Sequence, residues 1–176
     1  MQSMKISTDI THFLDTTRLA MAEAVLGVIL LAWGYASQYL GGLQPCVLCL
    51  YQRWPWWVAT GLAILALVFR RHSRFQAVVV GLASLSILFG SGIAVFHLGV
   101  EQHWWRGLAS CGSVGSDIPM TIKALKAQIM GAPVARCDEI GWSFLGLSMS
   151  SYNALISGII GMVGLRLTWR NREGVV

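Results

Sequence analysis

Four cysteines are the residues whose type and spacing can do chemistry: Cys46, Cys49, Cys111 and Cys137. Cys46 and Cys49 stand two residues apart in Pro45-Cys46-Val47-Leu48-Cys49-Leu50-Tyr51-Gln52-Arg53, just after the turn Gly41-Gly42. Such a pair can close a small ring, help hold a metal, or exchange electrons. Zinc wants four ligands close together, and Cys111 and Cys137 do not form a second CxxC. No histidine follows Cys49, which argues against covalent haem attachment. A purely structural disulfide here would constrain almost no chain. A redox pair is the reading left. A helix N-terminus favours thiolate over thiol, and Arg53, at i+4 from Cys49, shares its face if the helix has begun.

The even cysteine count fits two disulfides, with three connectivities open. If Cys111 and Cys137 pair, they close a loop of 25 intervening residues, and a loop of that size gains roughly 3 kcal/mol from its bridge. That is reason enough for a structural bond. Beside a CxxC, exchange between pairs becomes the more informative reading, because thiol–disulfide exchange passes oxidising equivalents through mixed disulfides. An exposed loop pair can meet a soluble partner; a membrane-edge pair can meet a lipid-soluble one. Arg136 adjoins Cys137 and favours its thiolate, whereas Asp138 and Glu139 oppose it.

Arg53 is either a snorkelling side chain or a functional intramembrane charge. In the second role it stabilises a Cys49 thiolate or a developing quinone oxyanion. His97 can donate to a quinone carbonyl or merely sit at an interface. Glu101, one turn later, is its partner or the first solvated charge of the following loop.

These groups need a frame, and the composition says which kind. The 176 residues are 55% hydrophobic and 12% charged, about half the charged share of soluble domains. The net charge of +5 does not mark a nucleic-acid surface, because the positives lie between apolar runs. We expect one integral membrane domain, 1–176, with spans at about 20–40, 46–69, 76–98 and 152–169. The outer loops are then about 41–45 and 99–151. No cleavable signal peptide is visible, and residues 1–17 read as a polar tail or interfacial segment. Glu23 stands near the start of the first span, where a carboxylate can reach the headgroups. Pro55 should kink the second span or delay its start. Gly158, Gly161 and Gly164 offer a strip for close helix approach.

Four spans place both termini on one side. Eight Lys and Arg fall on the terminal side and five on the other, and the eight lie near span ends. Both termini are therefore expected in the cytoplasm, with all four cysteines outside it. That suits disulfides, which persist in oxidising compartments. Trp54, Trp56, Trp57, Trp104, Trp105 and Trp142 gather near the outer interface, most of them as anchors. In the long loop, Asp117 is an N-cap and Pro119 a first-turn residue. Ile118, Ile122, Leu125 and Ile129 make one apolar stripe, and Gly131 and Pro133 end it. A short interfacial helix is expected there.

Cys46-Val47-Leu48-Cys49-Leu50-Tyr51-Gln52-Arg53 resembles the signature of the bacterial disulfide bond formation protein B family, DsbB. So do Gly99-Val100-Glu101-Gln102 with Trp104-Trp105, Cys137-Asp138, and Trp142-Ser143-Phe144-Leu145-Gly146-Leu147-Ser148-Met149. The likeness runs from the first span through the fourth. It implies an all-α, four-helix protein of the inner membrane with its cysteines on the periplasmic side. It also implies an oxidoreductase that reoxidises a periplasmic thioredoxin-fold dithiol oxidase, DsbA-like. Electrons then pass from the loop pair Cys111 and Cys137 to Cys46 and Cys49, and on to a quinone (ubiquinone or menaquinone). By position Cys46 matches the cysteine that exchanges with the loop, Cys49 the one that engages the quinone, and Arg53 the quinone-site arginine; His97 joins the expected cofactor contacts. Two alternatives stand beside this. One is a quinone-linked reductase of the vitamin K epoxide reductase type, whose CxxC lies late in the chain. The other is a non-enzymatic membrane assembly subunit with structural disulfides.

Overall fold

The computed structural model describes residues 2–108, 111 and 135–173, with side chains over 16–108, 111 and 135–170. The expected helix between Asp117 and Pro133 lies outside the described residues. Four helices account for most of the rest: α1 (Gln2–Tyr39), α2 (Val47–Val68), α3 (Ser73–Glu101) and α4 (Met149–Glu173). The N-terminal stretch continues α1 down to Gln2 and is not a separate tail. Thr16–Tyr39 and Ser73–Glu101 are long and apolar enough to cross a membrane, with mean hydropathy 1.8 and 2.2. By the same measure α2 and α4 fall short; α2 carries glutamine, arginine, proline and three tryptophans in its first half. Large apolar side chains face outward on every helix, among them Val28, Val68, Phe89 and Ile159. Soluble monomers rarely expose apolar surface on that scale, so a lipid surround suits the bundle.

Helix α3 sits against both α2 and α4. Small side chains permit the close approach. On α2, Ala59, Ala63 and Ala66 are fully buried, as are Val80, Ala83 and Ile87 on α3. The glycine strip of α4 faces α3: a Cβ added at Gly161 would stand 2.9 Å from Leu88 Cβ and from its backbone nitrogen. Pro55 lies inside a continuous α2. Its ring faces Gly90, and its carbonyl accepts from Ser86 Oγ at 3.0 Å.

Two residues differ from expectation for one reason. Hydropathy marks a span but not which way each side chain turns. Glu23 does not reach toward headgroups: it is fully buried and accepts from Ser84 Oγ of α3 at 2.6 Å. Trp56 is no interfacial anchor either; it is 3% exposed and belongs to the core with Leu31, Ala59, Ala83 and Ile87.

At the cysteine end, α3 runs on to Glu101, one turn beyond the expected span end. It closes with His103 N–H on the Val100 carbonyl and Trp104 N–H on the Gly99 carbonyl. Both bonds belong to a Schellman stop, with His103 in the left-handed region at φ 59°. The stop turns Trp105 back onto Gly99 and onto the ring of Phe96. Ahead of α4, β1 (Ser143–Phe144) pairs antiparallel with β2 (Leu147–Ser148). The two-residue turn Leu145-Gly146 has positive φ at both positions, 49° and 77°, as a type I′ hairpin requires. The hairpin delivers Ser148 as the residue before α4.

Candidate active site at the cysteine end of the bundle

Cys46 is the N-cap of α2, and its sulfur accepts the Cys49 backbone N–H at 3.3 Å. A capping side chain normally presents an oxygen there. A sulfur in that place sits where the helix dipole favours negative charge. The two sulfurs are 2.9 Å apart. Cys46 is buried and Cys49 half-buried.

Cys111 and Cys137 are joined as a disulfide, with Cα atoms 5.2 Å apart. Both are buried, and they pack in one cluster with Cys46, Leu48 and Val100, bordered by Cys49 and Phe96. The structure therefore brings all four sequence-predicted cysteines together. It does not leave the loop pair exposed, because Val100 at the end of α3 and Leu48 at the start of α2 cover it. Arg136 pairs with the two acids that follow Cys137. It holds Asp138 through two bonds, Nε at 3.1 Å and a terminal nitrogen at 2.8 Å, and reaches Glu139 at 3.4 Å. That guanidinium holds the Asp138 carboxyl below the usual carboxylate range.

His97 joins the cysteines from α3. Its Nε2 is 3.5 Å from Cys46 Sγ and 3.7 Å from a Glu101 oxygen, and its Nδ1 is 2.7 Å from Gln52 Nε2. Glu101 is 8% exposed. Its carboxylate accepts from the hydroxyls of Ser148 and Ser150, the latter at 2.6 Å. Ser148 also caps α4, accepting the Ser151 N–H at 3.3 Å. The carboxylate thus lies at the start of α4, where negative charge is favoured. Glu101 is therefore no solvated loop charge.

Arg53 shares the Cys49 face of α2, as the i+4 spacing predicts, and is held there by α1. Its terminal nitrogens donate to Gln38 Oε1 at 2.8 Å and to the Gly34 carbonyl at 3.0 Å, and it lies 4.8 Å from the Tyr35 ring centroid. An apolar groove of about 710 Å³ runs between α2 and α3, lined by Leu48, Tyr51, Pro55, Phe89, Ile93 and Phe96 among others. At about 100° per residue, Cys49 and Arg53 point away from the α2 side chains that line it.

Sequence reading missed Gln52, Trp56 and Asn153, which continue the buried polar chain behind His97. One signal was present: Gln52 and Trp56 are four apart, hence on one face of α2, and Asn153 is a polar residue early in an apolar run.

The family model described as disulfide bond formation protein DsbB matches residues 16–167. The chain belongs to the DsbB family. It is 29% identical over 162 residues to the disulfide bond formation protein B of Polaromonas naphthalenivorans, covering 90% of this chain and 95% of that one. The protein of that name from Xylella fastidiosa is 30% identical over 140 residues, 77% and 80% of the two chains. A Rickettsia prowazekii protein, uncharacterized protein RP370, is 26% identical over 141 residues, 79% and 80% of the two. No solved structure matches. Membership in the DsbB family makes this helical membrane protein a disulfide oxidoreductase of disulfide bond formation, and the structure gathers its four cysteines in one place.

Proposed function

We propose that the protein reoxidises a DsbA-like, thioredoxin-fold dithiol oxidase on the periplasmic side of the bacterial inner membrane, and passes the electrons to a membrane quinone. The observation that carries this is the shared cluster of the two cysteine pairs: Cys46 is buried together with the Cys111–Cys137 bridge, and Cys49, 2.9 Å from Cys46 sulfur to sulfur, packs against them. In the proposed order the partner's dithiol exchanges with the loop disulfide. The reduced loop pair then attacks the Cys46–Cys49 disulfide at Cys46, the new bond forms there, and the electron pair leaves on Cys49. All four helices span, with both termini in the cytoplasm. The Lys and Arg distribution and the outward apolar faces of all four helices support that topology.

The site suits an electron-accepting quinone of the ubiquinone or menaquinone class on the Cys49 side. Cys49 is half-buried, and a half-buried guanidinium stands on the same helix face. A quinone, when bound, supplies an acceptor for two electrons and two protons. Cys49 and Arg53 are the residues that would hold it. Arg53 would place positive charge against a developing oxyanion in a poorly hydrated site. His97, whose ring nitrogens face Cys46, Glu101 and Gln52, would act at Cys46, and α1 would keep Arg53 in place through Gln38 and Gly34. Because the loop disulfide is buried, exchange with a soluble partner requires the loop to lift from Val100 and Leu48.

The test is steady-state turnover of the full-length protein in nanodiscs. A reduced thioredoxin-fold dithiol oxidase serves as donor and a short-chain ubiquinone or menaquinone as acceptor. Donor oxidation matched by quinone reduction, and lost in Cys46→Ser, is expected. Donor oxidation that proceeds equally without quinone would contradict the reading.

A further inference from the structure

Indole Nε1 can only donate a hydrogen bond, and Trp56 Nε1 is 3.1 Å from Asn153 Oδ1. Ser157 Oγ donates to the same oxygen at 3.0 Å. The Asn153 amide is therefore fixed with its oxygen toward Trp56 and its nitrogen toward Gln52 Oε1, at 2.6 Å. With its oxygen accepting, Gln52 turns its Nε2 to His97 Nδ1. An amide nitrogen donates, so Nδ1 must be the acceptor and carries no proton.

We propose that the chain Trp56–Asn153–Gln52 holds His97 as a neutral imidazole protonated on Nε2, making it a hydrogen-bond donor to Cys46 and Glu101. Gln52, Asn153 and Trp56 are positioning residues: they act on Cys46 only through His97. The consequence falls on the step in which Cys46 leaves. When the second loop thiolate attacks the loop sulfur of a mixed disulfide to Cys46, a loop disulfide forms and the bond to Cys46 breaks. The electron pair then departs on Cys46 Sγ. An Nε2–H 3.5 Å from that sulfur stabilises the departing charge without giving up its proton. An imidazole with its lone pair on Nε2 would repel it.

The same geometry disfavours a metal. Cys46 Sγ, Cys49 Sγ and His97 Nε2 lie within 4.8 Å of one another. A ligating Nε2, however, needs its lone pair, with Nδ1–H donating to an acceptor, and Gln52 presents a donor there. Among the described residues, the titratable groups facing His97 are Cys46 and Cys49 of α2 and Glu101 of α3. From α4 come only serines and Asn153, and from the loop the Cys111–Cys137 disulfide.

This inference uses the proposed exchange step, but its primary test does not depend on quinone or partner. The full-length protein is labelled with 15N-histidine in nanodiscs, and the His97 signals are identified by their loss in His97→Asn. The expected spectrum shows Nε2 at a pyrrole-type and Nδ1 at a pyridine-type shift. Asn153→Asp and Gln52→Glu each place an acceptor where a donor stood and should move the proton to Nδ1, exchanging the two shifts. Resolution of a Cys46 mixed disulfide should then slow by about tenfold, the scale of one hydrogen bond to charge. A wild-type spectrum with the proton on Nδ1, or on both nitrogens, overturns the proposal. So does an Nε2–H form that persists in both variants, since the chain would then not dictate it. Normal shifts in a protein that fails to reduce quinone would overturn the quinone reading and leave this one standing.

Discussion

Cys46 Sγ lies 3.5 Å from His97 Nε2, across the interface between α2 and α3 and 51 positions along the chain. The contact ties the CxxC pair to a polar chain, so the sulfur does not face bare hydrocarbon. In a Cys49→Ser background, His97→Leu should slow alkylation of Cys46 at neutral pH by about tenfold, the scale of a lost hydrogen bond to a charged acceptor. Mass-spectrometric alkylation rates check this; an unchanged rate would mean that the contact does not act on the sulfur.

Arg53 has two possible duties, and they separate. Arg53→Gln should insert normally yet reduce quinone roughly a hundredfold more slowly, the usual loss for one electrostatic donor. Lysine should rescue only in part, since it lacks the planar fork. Gln38→Ala removes a partner of Arg53 and keeps the charge, so it should lower thermal stability and spare most of the turnover. If both variants lose stability alone and keep normal turnover and apparent quinone affinity, Arg53 is a clamp between α1 and α2.

Much of this site could be read from the chain. The CxxC spacing, the shared face of Cys49 and Arg53, and the glycine strip of α4 all follow from local periodicity, which a sequence displays directly. Gln52 and Asn153 meet across 101 positions, and nothing local pairs them; the bundle does. Glu23 was misplaced, and Trp56 was not told apart from the anchoring rings, because an apolar run looks alike whether a residue faces lipid or a neighbouring helix. Glu101 was ambiguous because the helix stop after it, built on a left-handed His103, has no glycine to announce it.

The carboxylate of Glu101 depends on hydroxyls that α4 brings. Ser150→Ala removes one of its two serine donors and should destabilise the protein by about 1.5–3 kcal/mol, the range for hydrogen bonds to charged groups. Thermal unfolding in detergent, followed by helical circular dichroism, measures it. No shift in midpoint would show that the bond contributes nothing net.

Close packing of α3 on α4 makes its own prediction. A Cβ at Gly161 would meet Leu88 backbone at 2.9 Å, which cannot move away as a flexible side chain can. Gly161→Ala should therefore lower the unfolding midpoint through an overpacking cost of about 1–3 kcal/mol. Gly92→Ala, where nothing stands within 4 Å, should not. Equal midpoints for the two variants would count against the packing described.

Asp138 titrates below the ordinary aspartate range because Arg136 holds it. A depressed folded-state value means that the pair's stabilisation is fully present above the unfolded value, about 3.9. It is lost as pH falls through the depressed value. Arg136→Gln should return the titration to the ordinary range, as read by carboxyl 13C shifts. A midpoint unaffected by the substitution would mean that Arg136 is not the cause.

The central claim is that the loop pair relays electrons to Cys46 and Cys49. It is tested most directly by the rate at which Cys111→Ser oxidises a reduced thioredoxin-fold dithiol oxidase in nanodiscs with quinone present. The account predicts that this oxidation stops, while the Cys46–Cys49 pair of the same variant, reduced by a small dithiol, still transfers electrons to quinone. Oxidation of the partner at the normal rate would contradict it and leave Cys111–Cys137 a structural bridge.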